Sequence, residues 1–140
     1  MKIIEKNLET YIIEKKSKFI ANIIYVSSTQ EAEEKLKQIK KKYYDAKHNC
    51  YAYRIMEGEN ILERSSDDGE PSGTAGMPIL DILRGKNIGN VLVVVTRYFG
   101  GILLGTGGLV RSYSEATNKA ILENNLLEME IGYEMEITLD

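Results

Sequence analysis

The 140 residues predict a mixed helix-and-strand domain, and three features of the pattern predict it. Apolar residues alternate at 8–26 and near the C-terminus, as half-buried strands require. A 3.6-residue apolar stripe marks a helix between 29 and 43. A β-branched run at 91–96 has the length of a buried strand. The length fits one domain, with room for the start of a second. Apolar residues are 43% and charged residues 28%, the balance of a chain that folds about a core.

In chain order, 8–14 and 18–26 form a hairpin about Lys15-Lys16-Ser17. In its second strand Phe19, Ala21, Ile23 and Tyr25 take one face, and Ile20, Asn22, Ile24 and Val26 the other. Ser28-Thr29-Gln30-Glu31 matches a capping box. It opens a helix to about Tyr43 whose stripe is Ala32, Leu36, Ile39 and Tyr43, and whose C-terminal lysines suit the negative end of the dipole. A strand follows at 48–56, with Asn49, Tyr51, Tyr53 and Ile55 on one face and His48, Cys50, Ala52 and Arg54 on the other. Residues 61–64 form a short partner to it, and 65–76 a loop. Pro78 sits in the first turn of a short helix at 77–83, where its missing amide costs nothing. A buried strand at 90–98, a glycine-rich turn at 100–107 and a helix at 108–124 complete the series. That helix turns Leu109, Val110, Tyr113, Ala116, Ala120 and Ile121 inward.

From 127 to 139 every odd position is apolar and every even one polar or Gly. This reads as one strand, long beside a typical ~5–6 residues. The expected division is therefore 1–126 as one domain and 127–140 as a long strand. That strand ends the same sheet, begins a second domain, or pairs with another copy of the chain.

Charge and composition exclude several function classes. Residues 1–54 carry 12 Lys/Arg against 7 Asp/Glu, and residues 55–140 carry 6 against 14. A uniformly basic nucleic-acid wrapper is excluded, but a local basic face at 35–47 is not. No apolar run approaches the ~18 residues of a membrane span, and 1–6 lacks the apolar core of a secretory signal. One cysteine and one histidine exclude an intrachain disulfide and multi-histidine metal sites. The expected location is the cytoplasm.

Three stretches carry candidate chemistry. His48 and Cys50 share a strand face, but i, i+2 neighbours lie ~6.5–7 Å apart; a buried thiol beside a half-exposed imidazole is the simpler reading than a nucleophile and its base. Asp67, Asp68 and Glu70 crowd a turn-rich loop. Its spacing matches no calcium loop, and no metal or cofactor is expected. The segment 96–111 runs from strand through glycines into a helix, where Gly105, Gly107 and Gly108 let amides converge on an anion and Arg97 and Arg111 add charge. Alternatively, those glycines supply positive φ and close strand–helix packing. Neither the phosphate-loop nor the dinucleotide fingerprint is present.

Together these stretches resemble the YigZ/IMPACT family. The matching blocks are Lys16-Ser17-Lys18-Phe19-Ile20-Ala21, His48-Asn49-Cys50-Tyr51-Ala52-Tyr53-Arg54 and Ser66-Asp67-Asp68-Gly69-Glu70-Pro71-Ser72-Gly73-Thr74-Ala75-Gly76. The most specific block is Thr96-Arg97-Tyr98-Phe99-Gly100-Gly101 with Leu104-Gly105-Thr106-Gly107-Gly108-Leu109-Val110-Arg111. The resemblance implies an α+β fold, a two-layer sandwich of a mixed sheet and helices like the second domain of ribosomal protein S5. It also implies a smaller ferredoxin-like domain after this one, whose first strand 127–140 would begin. Its eukaryotic members regulate translation initiation, competing for the activator of the amino-acid-starvation kinase. No catalytic residue comes with it.

The function expected is a non-enzymatic module that contacts the ribosome, RNA or a protein of the translation machinery. Its binding site would join Arg54, Asp67, Asp68, Glu70, Arg97, Tyr98, Gly100, Gly101, Gly105, Gly107, Gly108 and Arg111. Arg97 and Arg111 would meet phosphate or carboxylate, and Tyr98 would stack. The alternative is an enzyme for a small phosphorylated or amide substrate, with the 105–108 turn holding an anion and Asp67, Asp68 or His48 moving protons. A third reading is assembly of copies through 127–139.

Overall fold

The structure, a computed structural model, describes residues 1–130 and 136–139. The strands are β1 (Lys2–Ile4), β2 (Leu8–Glu14), β3 (Ser17–Tyr25), β4 (His48–Glu57), β5 (Asn60–Ser66), β6 (Val91–Tyr98), β7 (Leu126–Glu130) and β8 (Glu136–Leu139). The helices are α1 (Thr29–Lys42), α2 (Gly76–Gly85) and α3 (Gly105–Leu122). Five strands form an antiparallel sheet in the order β2-β3-β6-β4-β5. Lys15 and Lys16 turn the chain from β2 to β3 with φ of 45° and 66°, the backbone that a two-residue hairpin needs to match strand twist.

β6 runs through the centre and is buried on both faces. Val91, Val93 and Val95 pack with Phe19, Ala21, Ile23, Cys50 and Ala52 beneath α2 and α3. Leu92 and Val94 pack with Ile24, Tyr51, Tyr53 and Ile55 beneath Ala32, Leu36 and Ile39 of α1. Full burial of such a side chain contributes roughly 1.5–3 kcal/mol, so β6 anchors both cores. The expected α+β class is observed, and the structure refines its layering. The large sheet is antiparallel throughout, and α1 lies on the face opposite α2 and α3. Among the described residues, parallel pairing is confined to an isolated bridge between Lys2 and Ile88.

Ser28 caps α1, its side-chain oxygen accepting the Glu31 amide at 3.1 Å. The return half of the capping box goes elsewhere: Glu31 Oε2 accepts the Ser27 hydroxyl at 3.2 Å. α3 begins at Gly105 rather than 108, so the expected glycine turn is partly the helix's first turn. Val110, expected inward, is exposed, while Leu109, Tyr113, Ala116, Ala120 and Ile121 are buried. Gly100 meets the hairpin turn so closely that an added Cβ would collide with the Lys16 carbonyl.

Of the thirteen-residue strand expected at 127–139, the described parts are β7 and β8. β7 and β8 pair antiparallel, Leu127 opposite Leu139 and Met129 opposite Ile137. Residues 131–135 and 140, and the side chains beyond Met129, lie outside the described residues. The register joins odd positions to odd, so a chain that doubles back keeps its apolar residues on one face; period-2 alternation does not separate the two cases. β7 also pairs with β1, Lys2 opposite Glu128. This three-stranded sheet, β1-β7-β8, draws on both sides of the expected boundary at 126/127, and both edges of β7 are taken within the chain.

The cap sets the stability of α1. Ser28→Ala is expected to lower the free energy of unfolding in urea by about 1 kcal/mol without changing the slope of the transition.

Candidate functional site

The loop after β5 folds around its own acids. Asp67 sits before α2 in sequence, but its carboxylate caps that helix: Oδ1 accepts the amides of Ala75 (3.1 Å) and Gly76 (2.8 Å), and Oδ2 that of Gly73 (2.9 Å). A negative group at the positive end of the helix dipole is favourable, and Ala75 at the N-cap position has no side-chain acceptor of its own. Asp68 turns the other way. Its Oδ2 accepts the Asn49 amide at 2.7 Å, and its carbonyl accepts from His48 Nδ1 at 2.9 Å. A carbonyl only accepts, so Nδ1 carries the proton in that contact.

Glu70 points into the core, its side chain 3% exposed. Both oxygens accept from Arg97 Nη1, at 3.0 and 2.9 Å. Oε2 also accepts the Tyr113 hydroxyl at 2.6 Å, and Oε1 faces His48 Nε2 at 3.6 Å. The Arg97 guanidinium lies between the Phe19 and Phe99 rings, 5.7 and 5.5 Å from their centroids. Its Nε is buried without an acceptor among the described residues. Cys50 borders the cluster, with Sγ 3.1 Å from the Asp67 carbonyl and 3.3 Å from the Tyr113 hydroxyl. Burial pushes both the Cys50 thiol and the Tyr113 phenol far above their usual ranges. The thiol stays protonated at neutral pH and is not a nucleophile. His48 faces Asp68 and Glu70, so the pair weighed from sequence is not assembled.

The predicted site residues therefore divide. Asp67, Asp68, Glu70 and Arg97 come together, but their carboxylates serve different partners and do not converge on one point. Tyr98, next on β6, faces the α1 side. Its hydroxyl donates to Asp45 Oδ1 at 2.6 Å, and burial together with that carboxylate raises its pKa to about 12. Gly100 and Gly101 lead from β6 into an exposed loop in which Phe99, Ile102 and Leu103 are 54%, 41% and 81% exposed. Gly105, Gly107 and Gly108 form the first turn of α3, with the exposed Arg111 packed beside Gly107 and Gly108. A cleft of about 60 Å³ opens there, lined by Glu14, Lys15, Leu104, Gly108, Arg111, Ser112 and Glu115.

Arg54 does not join this site. On β4 it pairs with Val91, whereas His48 pairs with Arg97, which puts it ~20 Å along the strand. There it bonds Glu63 (3.2 Å), Asn87 Oδ1 (3.2 Å) and the Ile88 carbonyl (3.0 Å), and Glu63 also holds Arg84 at 2.7 Å. Hydrogen bonds from Arg84, with its charge and the Arg54 contact, hold the Glu63 carboxyl below its ordinary value of 4.5. Sequence reasoning also missed Tyr113 as a site residue. Its helical position marks it as core, and nothing local shows that its hydroxyl meets a carboxylate 43 residues earlier.

Two outcomes follow from these contacts. Arg97→Leu leaves Glu70 buried without its countercharge and is expected to cost about 3–5 kcal/mol in urea unfolding. Tyr113→Phe removes one hydrogen bond to a charged group and is expected to cost about 1.5–3 kcal/mol. At the other end of β4, the folded pKa of Glu63 is depressed, so its stabilisation is complete above the unfolded carboxylate pKa and fades as pH falls through the folded value. Wild type and Glu63→Gln are thus expected to differ in stability at pH 6 and to converge as the medium is acidified below pH 4.5.

An Impact N-terminal domain model matches residues 15–121. The IMPACT family member YvyE of Bacillus subtilis is 42% identical over 132 residues, 94% of this chain and 60% of the relative. The IMPACT family member YigZ of Escherichia coli is 41% identical over 108 residues, 76% of this chain and 53% of the relative. A crystal structure of a hypothetical protein superimposes with a TM-score of 0.84 at 34% identity, covering 91% of this chain and 65% of that one. The two-domain translational regulator Yih1 superimposes with a TM-score of 0.59 at 27% identity, covering 86% and 48%. The chain thus spans little more than half the length of these bacterial relatives. It belongs to the IMPACT family, and residues 15–121 are its Impact N-terminal domain.

Proposed function

We propose that this domain is a regulatory binding module of translation, working in the cytoplasm on RNA or a protein of the translation machinery. Its structural neighbour Yih1, described as a translational regulator, supports the setting. The observation that carries the binding-module reading is how the acidic loop uses its polar groups. Asp67 caps α2, Asp68 ties the loop to β4, and Glu70 neutralises Arg97. These groups build a rigid platform instead of reaching toward a substrate. What remains outward beside them is the apolar loop of Phe99, Ile102 and Leu103, with Arg111 next to it. An exposed apolar patch with a charged rim is the usual form of a partner surface. The small cleft beside Gly108 is lined by none of Asp67, Asp68 and His48, so the proton-moving residues of the enzyme reading do not meet its anion position.

Co-sedimentation with ribosomes and with free ribosomal RNA, at low and moderate salt, tests the reading. The wild-type chain is expected to pellet with ribosomes. Leu103→Asp and Arg111→Ala, both at exposed positions, are expected to reduce the bound fraction severalfold while remaining folded. Absence of pelleting under every condition removes the translation reading.

A further inference from the structure

The α1 face of the large sheet is only partly covered. α1 packs on β6 and β4 and leaves the edge strand β2 open, with Tyr11 and Ile13 50% and 61% exposed. Lys18 of β3 extends its ammonium over the Tyr11 ring at 4.5 Å. Just past the end of α1, Tyr44 is 83% exposed. The two parts form one surface. Glu9 of β2 accepts both Lys42 (3.3 Å) and the Tyr43 hydroxyl (2.5 Å) from the end of α1, and Tyr43 meets Tyr98 edge-on at 6.4 Å.

The charge on this surface is one-sided. Its carboxylates at Glu9 and Asp45 are committed, to Lys42 with Tyr43 and to Tyr98. Lys35, Lys37, Lys41 and Lys47 have no ion-pair partner among the described residues. Lys37 and Lys41 flank a shallow groove whose one carboxylate is Glu34. Lysines that outnumber the carboxylate among them, with the exposed rings of Tyr44 after α1 and Tyr11 on β2 on the same side of the sheet, fit a strand of phosphates carrying unstacked bases.

We propose that this face, from the C-terminal half of α1 to β2, binds single-stranded RNA. Lysines such as Lys37 and Lys41 contact phosphates, and Tyr11 and Tyr44 stack on bases. The inference rests on the translation reading for its choice of partner, and it places the contact on the side of the sheet opposite the acidic loop.

The test is fluorescence anisotropy of a labelled twelve-nucleotide oligouridine at two salt concentrations. Binding that weakens with salt is expected, with a logarithmic slope of about −0.7 per phosphate contact. Lys41→Glu is expected to weaken it about tenfold. Lys86→Glu, the same charge change at an exposed site beyond α2, leaves it unchanged. Tyr11→Ala and Tyr44→Ala are each expected to cost about fivefold or more, in the range of base stacking, with thermal unfolding reporting that each variant is folded. Three results overturn the proposal: no binding by the wild type, equal loss with Lys86→Glu, or equally tight binding of oligoglutamate, which makes the surface a site for acidic peptides. A chain that pellets with ribosomes but ignores the oligonucleotide overturns this inference alone. One that binds the oligonucleotide through Lys41 but never pellets with ribosomes supports the surface and overturns the translation reading.

Discussion

The buried pair of Glu70 and Arg97 is the constraint around which the site end of the molecule is arranged. Moving two charges out of water costs several kcal/mol each, and their attraction offsets that only when the remaining valences are met. Here the help comes from separate elements. Tyr113 reaches in from α3, His48 approaches from the start of β4, and Phe19 and Phe99 close over the guanidinium from β3 and the loop after β6. Glu70 reaches its place because Asp67 and Asp68 have already fixed the loop on either side of it. Each of these contacts helps to hold the pair in the core, so the pair couples the packing of four elements and two loops.

The layering follows from β6. A strand buried on both faces needs cover on both faces, and the chain supplies α2 and α3 on one side and α1 on the other. Three helices do not cover five strands equally. β2, at one edge, keeps its outer row in water on the α1 side. The acidic loop and Arg97 belong to the other side. The molecule thus has two chemically different surfaces: one apolar and rimmed by a built polar cluster, the other basic and aromatic.

Local pattern made much of this legible. The hairpin, the Ser28 cap, the stripe of α1 and the two faces of β4 each follow from spacing within a few residues, where one element's physics suffices. Legibility failed where the determinant is distant. Arg54 looks like a site cation in sequence, yet the register of β4 against β6 sends it to the far end of the strand. Tyr113 reads as core, and only the approach of the loop gives its hydroxyl a role. β1 is three residues long, too short to show a period. The antiparallel pairing of β7 with β8 is invisible to alternation, because its register joins odd positions to odd.

The pairing of β1 with β7 bears on the order of events during synthesis. Lys2 has Ile88 beside it as a parallel bridge, and Glu128 supplies the antiparallel neighbour much later in the chain. All the strands of the five-stranded sheet are made once β6 is, whereas its cover from α3 and the β7 neighbour of β1 come later. Closing the small sheet then ties the strand before β2 to the strand after α3. A force that pulls on β1 meets this pairing before it reaches β2.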